Sequence, residues 1–429
     1  ERHVVLSIDG VRVGLAICED IWQDGGPVAE LAAEHIDVLL TINGSPYEEG
    51  KTQIRLDLAR RRAAEVHAPM IYVNQVGGQD DLVFDGGTFV VDTDGTLLQR
   101  SPMFMEDLAY FTLDTDREHQ EVCEVAPRMD PDEEVYTACV LGLKDYMAKN
   151  GFTGVCLGLS GGIDSALVAA MAADAVGGGN VYGISMPSMY SSQGSKDDAA
   201  DLAANIGTHY DVQPIKPMYD AFQQQLALDG VSAENLQARI RGVIVMAYSN
   251  SKGVLALATG NKSELACGYS TIYGDAVGGY APIKDVFKTK VWQLARWRNS
   301  AAAAGMGVGG LHIVGNEAGD AGVQLPGGVM IPVNSITKAP SAELRPGQKD
   351  SDSLPQYELL DRVLEAYIEH AHGGADLLAD GFDDETVSTV IRLVDRAEWK
   401  RRQYPLGPKV SALAFGRDRR LPVTGAFRE

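Results

Sequence analysis

A buried strand that breaks into a glycine-rich turn and at once becomes a helix leaves few folds open, and residues 154–171 spell such a pattern. Gly154–Leu159 is an apolar run of strand length, Ser160-Gly161-Gly162-Ile163-Asp164-Ser165 follows it, and Ala166–Met171 reads as a helix. A turn of this kind aims several backbone N–H groups and a helix N-terminus at one spot, which suits a phosphate or pyrophosphate. It contains no lysine, so it is not the GxxxxGK[ST] loop of γ-phosphoryl transfer. Asp164 sits inside it instead. A carboxylate beside a phosphate is repulsive unless a metal bridges them, which points to Mg²⁺. Together these features fit cleavage of a nucleotide between its α- and β-phosphates, with AMP passing to a carboxylate. The plain alternative is a strand–helix turn that uses its glycines for tightness.

The surrounding pattern supports a sheet that holds this turn at its edge. A helix over Glu133–Lys149 leads into the strand, and strands Val181–Met186, Thr208–Ile215 and Gly253–Thr259 follow. Helices Ser195–Ile206, Met218–Leu226 and Ala233–Ser249 lie between them. Strands alternating with helices predict right-handed crossovers and a doubly wound parallel sheet. Ligands then belong at the carboxyl ends of the strands, where Ser160, Pro187 and Thr259 fall. Upstream, Val4–Ile8 and Val11–Ile17 flank Asp9-Gly10 as a β-hairpin with a type I′ turn. Helix Pro27–His35, strand Asp37–Asn43, helix Glu49–Val66, strand Met70–Gln75 and a hairpin at Asp94-Gly95 make a second alternating α/β domain. That domain ends near Asp116, and the polar, aperiodic stretch Arg117–Pro131 reads as a linker. With 429 residues, two or three domains are expected. The Ala/Gly stretch Ala301–Gly310 is the one biased tract.

Charge and cysteines narrow the partners. Lys+Arg 37 against Asp+Glu 59 gives a net charge of −22, which excludes nucleic acid and anionic membranes as natural partners. Basic residues still cluster at Arg396, Lys400, Arg401 and Arg402, and at Arg417, Arg419 and Arg420, as anion sites or as solvated faces. So acidic a surface also fits a salt-rich habitat. Cys18, Cys123, Cys139, Cys156 and Cys267 show no metal-ligand spacing, and an odd count fits reduced cytoplasmic thiols. His370 and His372 read as surface histidines. No apolar run is long enough to span a membrane and no signal peptide is evident. The chain opens on Glu1, almost directly in a strand, as a remainder of something longer would. Gly44–Thr52 nearly spells a phosphate-binding P-loop, but it has one residue too many, Pro46 removes a donor, and Glu48 and Glu49 would repel phosphate.

A second acid joins Asp164. Thr259-Gly260-Asn261-Lys262-Ser263-Glu264 is another strand-to-helix transition, with Glu264 in the first helical turn. The carboxylate there either serves the helix dipole or shares one Mg²⁺ with Asp164. SGGIDS resembles the signature of the N-type ATP pyrophosphatases. With Tyr273-Gly274-Asp275, Val286–Lys290 and Lys338–Gln348, the chain from Val4 to Arg428 resembles the glutamine-dependent NAD synthetases.

The resemblance implies residue roles. Asp164 and Glu264 become Mg²⁺ ligands. Leu159, Ser160, Gly161, Gly162, Ile163, Asp164 and Ser165 hold pyrophosphate, and Thr259, Lys288 and Ser341 contact ATP or the adenylate. Asn235, Arg239, Glu264 and Lys400 meet deamido-NAD, whose site in the family often lies at a homodimer interface. The segment Lys338–Pro355 resembles a loop that orders over the adenylate, or else is a plain surface loop.

Cys18 at a strand end reads either as a buried inert thiol or as a nucleophile. Ile17–Asp20, Asn43–Tyr47, Asn74–Asp80 and Phe84–Gly86 resemble the nitrilase-type glutaminase domain of the same family. That makes Cys18 the thiolate that attacks glutamine, with Lys288 and Asp164 the catalytic residues of the other half. Glu19, Ser45 and Lys51 then hold the glutamine. The implied layout is residues 1–116 as the carboxyl-terminal part of a nitrilase-like domain, 117–131 as linker and 132–429 as the synthetase domain. The family's Glu base and Lys come from a first half not seen here, so this chain is expected to use ammonia and not glutamine. The rivals are another member of the pyrophosphatase group, such as GMP synthetase, and a carbon–nitrogen hydrolase carrying a nucleotide-sensing module.

Overall fold

The structure is a computed structural model that describes residues 3–117, 119–304, 306, 308 and 329–424. Part of the Ala301–Gly310 tract and Arg428 lie outside the described residues. The chain divides into two compact units, one reaching Ala138 without residues 79–81, the other built from those three residues and the rest.

In the first unit, β1 (Val4–Ile8) and β2 (Val11–Ile17) pair antiparallel about Asp9 and Gly10, whose φ angles of 50° and 90° make the type I′ turn. Strands β3 (Val38–Asn43) and β4 (Met70–Asn74) add in parallel, with Ile17 opposite Ile42 and Ile42 opposite Val73. Helices α1 (Gly26–Ala32) and α2 (Lys51–Val66) make the crossovers. A short ribbon, β5 (Val76–Gln79) and β6 (Leu82–Asp85), stands apart. Strands β7 (Phe89–Val91) and β8 (Leu97–Arg100) meet at Asp94-Gly95 and close the order β1-β2-β3-β4-β7-β8. Ala16, Leu39, Met70, Tyr72 and Val91 point to the helical side and pack on Leu31, Leu56, Ala59 and Ala63. On the other face Ile17, Ile42 and Val73 stay exposed. Residues 123–126 are not a free tether. Cys123 N–H donates to Leu98 O and Ala126 N–H to Arg100 O, so they run along β8.

Helix α3 (Pro131–Asn150) enters the second unit. There β9 (Val155–Gly158), α4 (Ile163–Val176), β10 (Val181–Ser185), α5 (Gln193–Ile206) and β11 (His209–Val212) alternate. Then come α6 (Lys216–Leu226), α7 (Gly230–Lys252) and β12 (Leu255–Ala256). All strands are parallel in the order β11-β10-β9-β12. The order reverses at β9, so a crevice opens between the carboxyl ends of β9 and β12. Helix α4 is apolar on every side and buried almost throughout, which is why its small residues show no amphipathic period.

Helices α8 (Lys262–Cys267), α9 (Lys288–Ala303), α10 (Val333–Thr337), α11 (Tyr357–Ile368), α12 (Gly374–Ala379), α13 (Asp384–Arg396) and α14 (Glu398–Arg401) complete the unit. Leu265, Leu360, Leu364, Val390 and Val394 form their shared core. Arg298 of α9 makes a buried bidentate pair with Asp174 of α4 (2.7 and 2.8 Å). Arg401 is no anion site: it is buried and donates to Glu398, Ala266 O and Val394 O. His372 bonds Asp380 at the surface.

Candidate active site

Neighbouring strands deliver the two acids to one place. Asp164 is the second residue of α4, just past the turn that ends β9. Glu264 is the third residue of α8, just past β12. Asn261 caps α8 and links them: its Oδ1 accepts the Glu264 N–H (3.0 Å), while its Nδ2 donates to Asp164 Oδ1 (2.9 Å). Glu264 Oε2 accepts the Asn261 N–H in return (3.4 Å), a capping box written N-x-x-E.

Lys288, which opens α9 and is 2% exposed, donates from Nζ to Asp164 Oδ2 and to Glu264 Oε1 (3.4 Å). Burial pulls the Lys288 ammonium toward neutrality, but Asp164 and Glu264 outweigh it and hold the group above the usual lysine range. Burial pushes the Glu264 carboxyl well up; Lys288 opposes this and Asp164 reinforces it. Ser263 Oγ accepts the Lys288 N–H (2.9 Å) and donates to Asp361, which also accepts the Thr289 N–H. Lys262 turns away, wholly buried, onto Asp285 (3.0 Å), Glu369 (2.6 Å), Ser411 Oγ and Leu413 O.

The turn itself is cross-braced. Ser165 Oγ donates to Gly162 O and lies 3.0 Å from Ser160 Oγ, which accepts the Gly162 N–H. Gly161 has φ +79°, and its carbonyl accepts from Ser335 Oγ (2.9 Å). A cavity of about 320 Å³ opens over this turn, with Leu159, Ser160, Gly162, Ile163, Asp164, Ser165, Thr259, Glu264, Lys288 and Ser341 in its wall. Ser341 Oγ itself donates to Gln348 O (2.7 Å) and so folds its own loop. Asp350, from the same segment, faces the cavity and accepts from Tyr357 (3.0 Å) and Tyr269 (3.4 Å). Burial, opposed by Lys288, raises its carboxyl above the ordinary range.

Asn235, Arg239 and Lys400 meet around residues 268–275, behind the cavity wall. Asn235 Oδ1 accepts from Thr271 Oγ (2.8 Å), Arg239 Nε donates to Ile272 O (3.4 Å), and Lys400 Nζ donates to Gly268 O and Ser270 O (2.7 Å each). Tyr269, Ser270, Thr271, Gly274 and Asp275 of that stretch line the cavity.

In the first unit, Cys18 stands immediately after β2 with φ 45°, a left-handed conformation that costs a non-glycine residue about 1–2 kcal/mol. Strain of this kind concentrates at functional positions. Ser45 follows β3 and Asn74 ends β4, so three parallel strand ends converge. Asn74 Oδ1 accepts the Ser45 N–H (3.0 Å). Arg55 donates to Ser45 Oγ (3.1 Å), Ser45 O and Pro46 O, and its 2.6 Å ion pair with Asp85 is fully buried. Removing one member of such a pair costs about 3–5 kcal/mol. Lys51 lies 5.9 Å over Trp22 and 3.9 Å from Glu48, while Glu19 accepts from Gln23. The P-loop look-alike is thus a loop into α2, whose lysine faces an indole ring.

Asn261, Asp350, Arg55 and Lys262 carry this architecture without having been singled out by sequence. Only Asn261 left a readable sign, the capping box it forms with Glu264.

Comparison with known proteins follows the same division. Residues 135–404 match the NAD synthase family model, and residues 1–120 match that of carbon–nitrogen hydrolase. The chain is 43% identical over 433 residues to the glutamine-dependent NAD(+) synthetase of Acinetobacter baylyi, covering 100% of this chain and 75% of that protein. It is 45% identical to the Rhodobacter capsulatus enzyme of the same name, covering 99% and 75%. Among solved structures, the Acinetobacter baumannii synthetase in complex with ADP superposes with a TM-score of 0.70 at 42% identity, over 99% of this chain and 74% of that one. The Cytophaga hutchinsonii synthetase has a TM-score of 0.75 at 22% identity, over 99% and 73%, a likeness of fold.

Proposed function

Since the chain belongs to the glutamine-dependent NAD(+) synthetases, carbon–nitrogen ligases that amidate deamido-NAD to NAD with ATP, we propose that the cavity at the ends of β9 and β12 is where the amide is made. The observation that carries this is the joining of Asp164 and Glu264 through Asn261 and Lys288. The NAD synthase match over residues 135–404 favours this reading over GMP synthetase and over a hydrolase with a sensing module.

In this reading the nicotinate carboxylate of deamido-NAD attacks the α-phosphorus of ATP. The pyrophosphate leaves toward the Ser160–Ser165 turn, where first-turn N–H groups of α4 meet its charge. Thr259 and Ser341 hold the nucleotide, and Asn235, Arg239 and Lys400 support the stretch against which deamido-NAD lies. Lys288 balances charge between the acids and the phosphates. Ammonia then attacks the acyl carbon, AMP leaves, and a proton is released.

The donor set suits a hard divalent cation. Asp164 and Glu264 offer oxygen ligands only, and burial, the main cause of the upward push on Glu264, makes two adjacent carboxylates costly to keep charged without a cation. Mg²⁺ held there would neutralise phosphate charge as the α–β bond breaks.

Cys18, posed in a strained turn with Glu19, Ser45 and Lys51 nearby, is assigned to glutamine: its sulfur attacks the side-chain amide, a thioester forms and ammonia leaves. Among the described residues no base is hydrogen-bonded to its sulfur, which supports ammonia as the donor this chain uses. A homo-oligomer is part of the same reading, on the resemblance to a family whose dinucleotide site often lies at a homodimer interface. A cytoplasmic setting is supported by five unpaired cysteines.

The test is deamido-NAD-dependent release of pyrophosphate from ATP, with ammonia or with glutamine. Asp164→Ala is expected to abolish it. Retention of activity in that variant would remove Asp164 from the chemistry, and equal rates with the two donors would overturn the ammonia assignment.

A further inference from the structure

The segment that roofs the cavity is fastened at a point remote from the two acids. Glu343 has φ 47°, a left-handed conformation, and its N–H donates to Ser341 Oγ (3.1 Å). Its carboxylate reaches the N-terminus of α5. Oε1 accepts from Ser192 Oγ (2.9 Å) and Ser195 Oγ (2.9 Å), and Oε2 accepts the Ser192 N–H (3.3 Å). Ser192 caps that 14-residue helix. An anion at this position meets the positive end of the helix dipole and two hydroxyl donors at once. Lys338 Nζ, 3.1 Å from Ser195 Oγ and 2.8 Å from Asp198 Oδ2, adds a positive charge beside it. The next residue is pinned separately, with Leu344 O accepting from Gln237 Nε2 (2.9 Å).

These contacts join the roof to the α5 wall of the cavity and involve neither of the two acids nor Lys288, although the backbone of Ser195 lies against Gly161 of the pyrophosphate turn. We propose that Glu343 is a positioning residue: its carboxylate latches the Lys338–Gln348 segment onto the cap of α5 and so keeps water from the acyl-adenylate. The inference rests on the ligase reading above. Water attacking the acyl carbon breaks the same carbon–oxygen bond to AMP that ammonia breaks, regenerates the carboxylate and yields a proton. The net result is ATP and water giving AMP and pyrophosphate with no NAD. A loosened roof therefore shows as AMP made without product, which a purely structural role would not produce.

The experiment counts AMP and NAD formed in the same reaction, across a range of ammonia concentrations. The ratio is independent of the fraction of active protein, so partial misfolding does not alter it. For the wild-type chain the ratio stays near one. Glu343→Ala is expected to raise it several-fold at limiting ammonia and to raise the KM for ammonia more than it changes the rate of AMP formation. Glu343→Gln keeps an oxygen that accepts from both hydroxyls and is expected to recover most of the coupling. Ser192→Ala breaks the latch from the other side and should reproduce the raised ratio. An unchanged ratio in both Glu343→Ala and Ser192→Ala overturns the latch. Failure of the wild-type chain to form AMP in response to deamido-NAD defeats the ligase reading instead.

Discussion

Gly161 combines a left-handed backbone with a close backbone neighbour, so one methyl group there should damage the turn. It stands at φ +79°, where a β-carbon costs about 1–2 kcal/mol. A β-carbon there would also lie 2.1 Å from the backbone oxygen of Ser195, 2.8 Å from its carbonyl carbon and 2.9 Å from its Cα. Ordinary carbon–oxygen contact begins near 3.4 Å, so the turn and the first turn of α5 must part by more than about 1 Å. The obstacle is backbone and has no rotamer to escape into. Gly151→Ala is the matched control, since Gly151 has φ +75° and nothing within 4 Å. Both variants carry the conformational penalty, and only Gly161→Ala carries the clash. Gly151→Ala should lose about 1–2 kcal/mol of stability and no activity per folded molecule. Gly161→Ala should lose more stability and, because displacing a catalytic element by about 1 Å costs roughly 10²-fold, about that much in kcat/KM for pyrophosphate release. Thermal unfolding and the pyrophosphate assay measure the two quantities. If Gly161→Ala melts with Gly151→Ala and works within twofold of wild type, the close approach of turn and helix is wrong.

Two further expectations concern the first unit. Burial, with Asp85 and Glu49 adding to it, pushes the Glu134 carboxyl up to about 7 from an ordinary 4.5. A raised carboxyl favours the folded unit below its unfolded pKa, and that advantage is lost as pH climbs through about 7. Glu134→Gln should therefore equal wild type at pH 4 and exceed it above pH 7, by about 1 kcal/mol after allowance for solvent screening. A difference in denaturant midpoint that does not vary with pH refutes this. If Cys18 serves only donor delivery, as proposed, Cys18→Ala should leave ammonia-supported NAD formation within about twofold while removing any glutamine-supported rate. Loss of the ammonia rate would place Cys18 in the ligation step.

Much of this was legible from residue order, for reasons that differ along the chain. The Asp9-Gly10 hairpin, the β9 turn and the alternation of strands and helices are local patterns, and local patterns survive into the fold. Boundaries drifted where packing overrode propensity. The strand expected to reach Thr259 is only Leu255–Ala256, since beyond it the chain leaves the sheet to place Asn261 and Glu264. The β5–β6 ribbon escaped notice because Gly77, Gly78 and Gln79 show no alternation of apolar and polar residues. The acids were found by motif, whereas the ties that orient them were not. Asn261 to Asp164 spans 97 positions and Ser263 to Asp361 spans 98, and no periodicity reports a contact at that separation.

The buried ammonium of Lys262 has a consequence for how the enzyme is made and how it can be loosened. It sits one residue from Asn261 and two from Glu264, yet it is anchored by Ser411 and Leu413, about 150 positions later in translation. During synthesis, then, the β9 turn can fold long before the helix bearing Glu264 gains these moorings, and the two acids have no fixed spacing until residues 411–413 have emerged. Cutting the chain between Tyr404 and Ser411 would loosen that mooring of Lys262 and, with it, the short helix that carries Glu264.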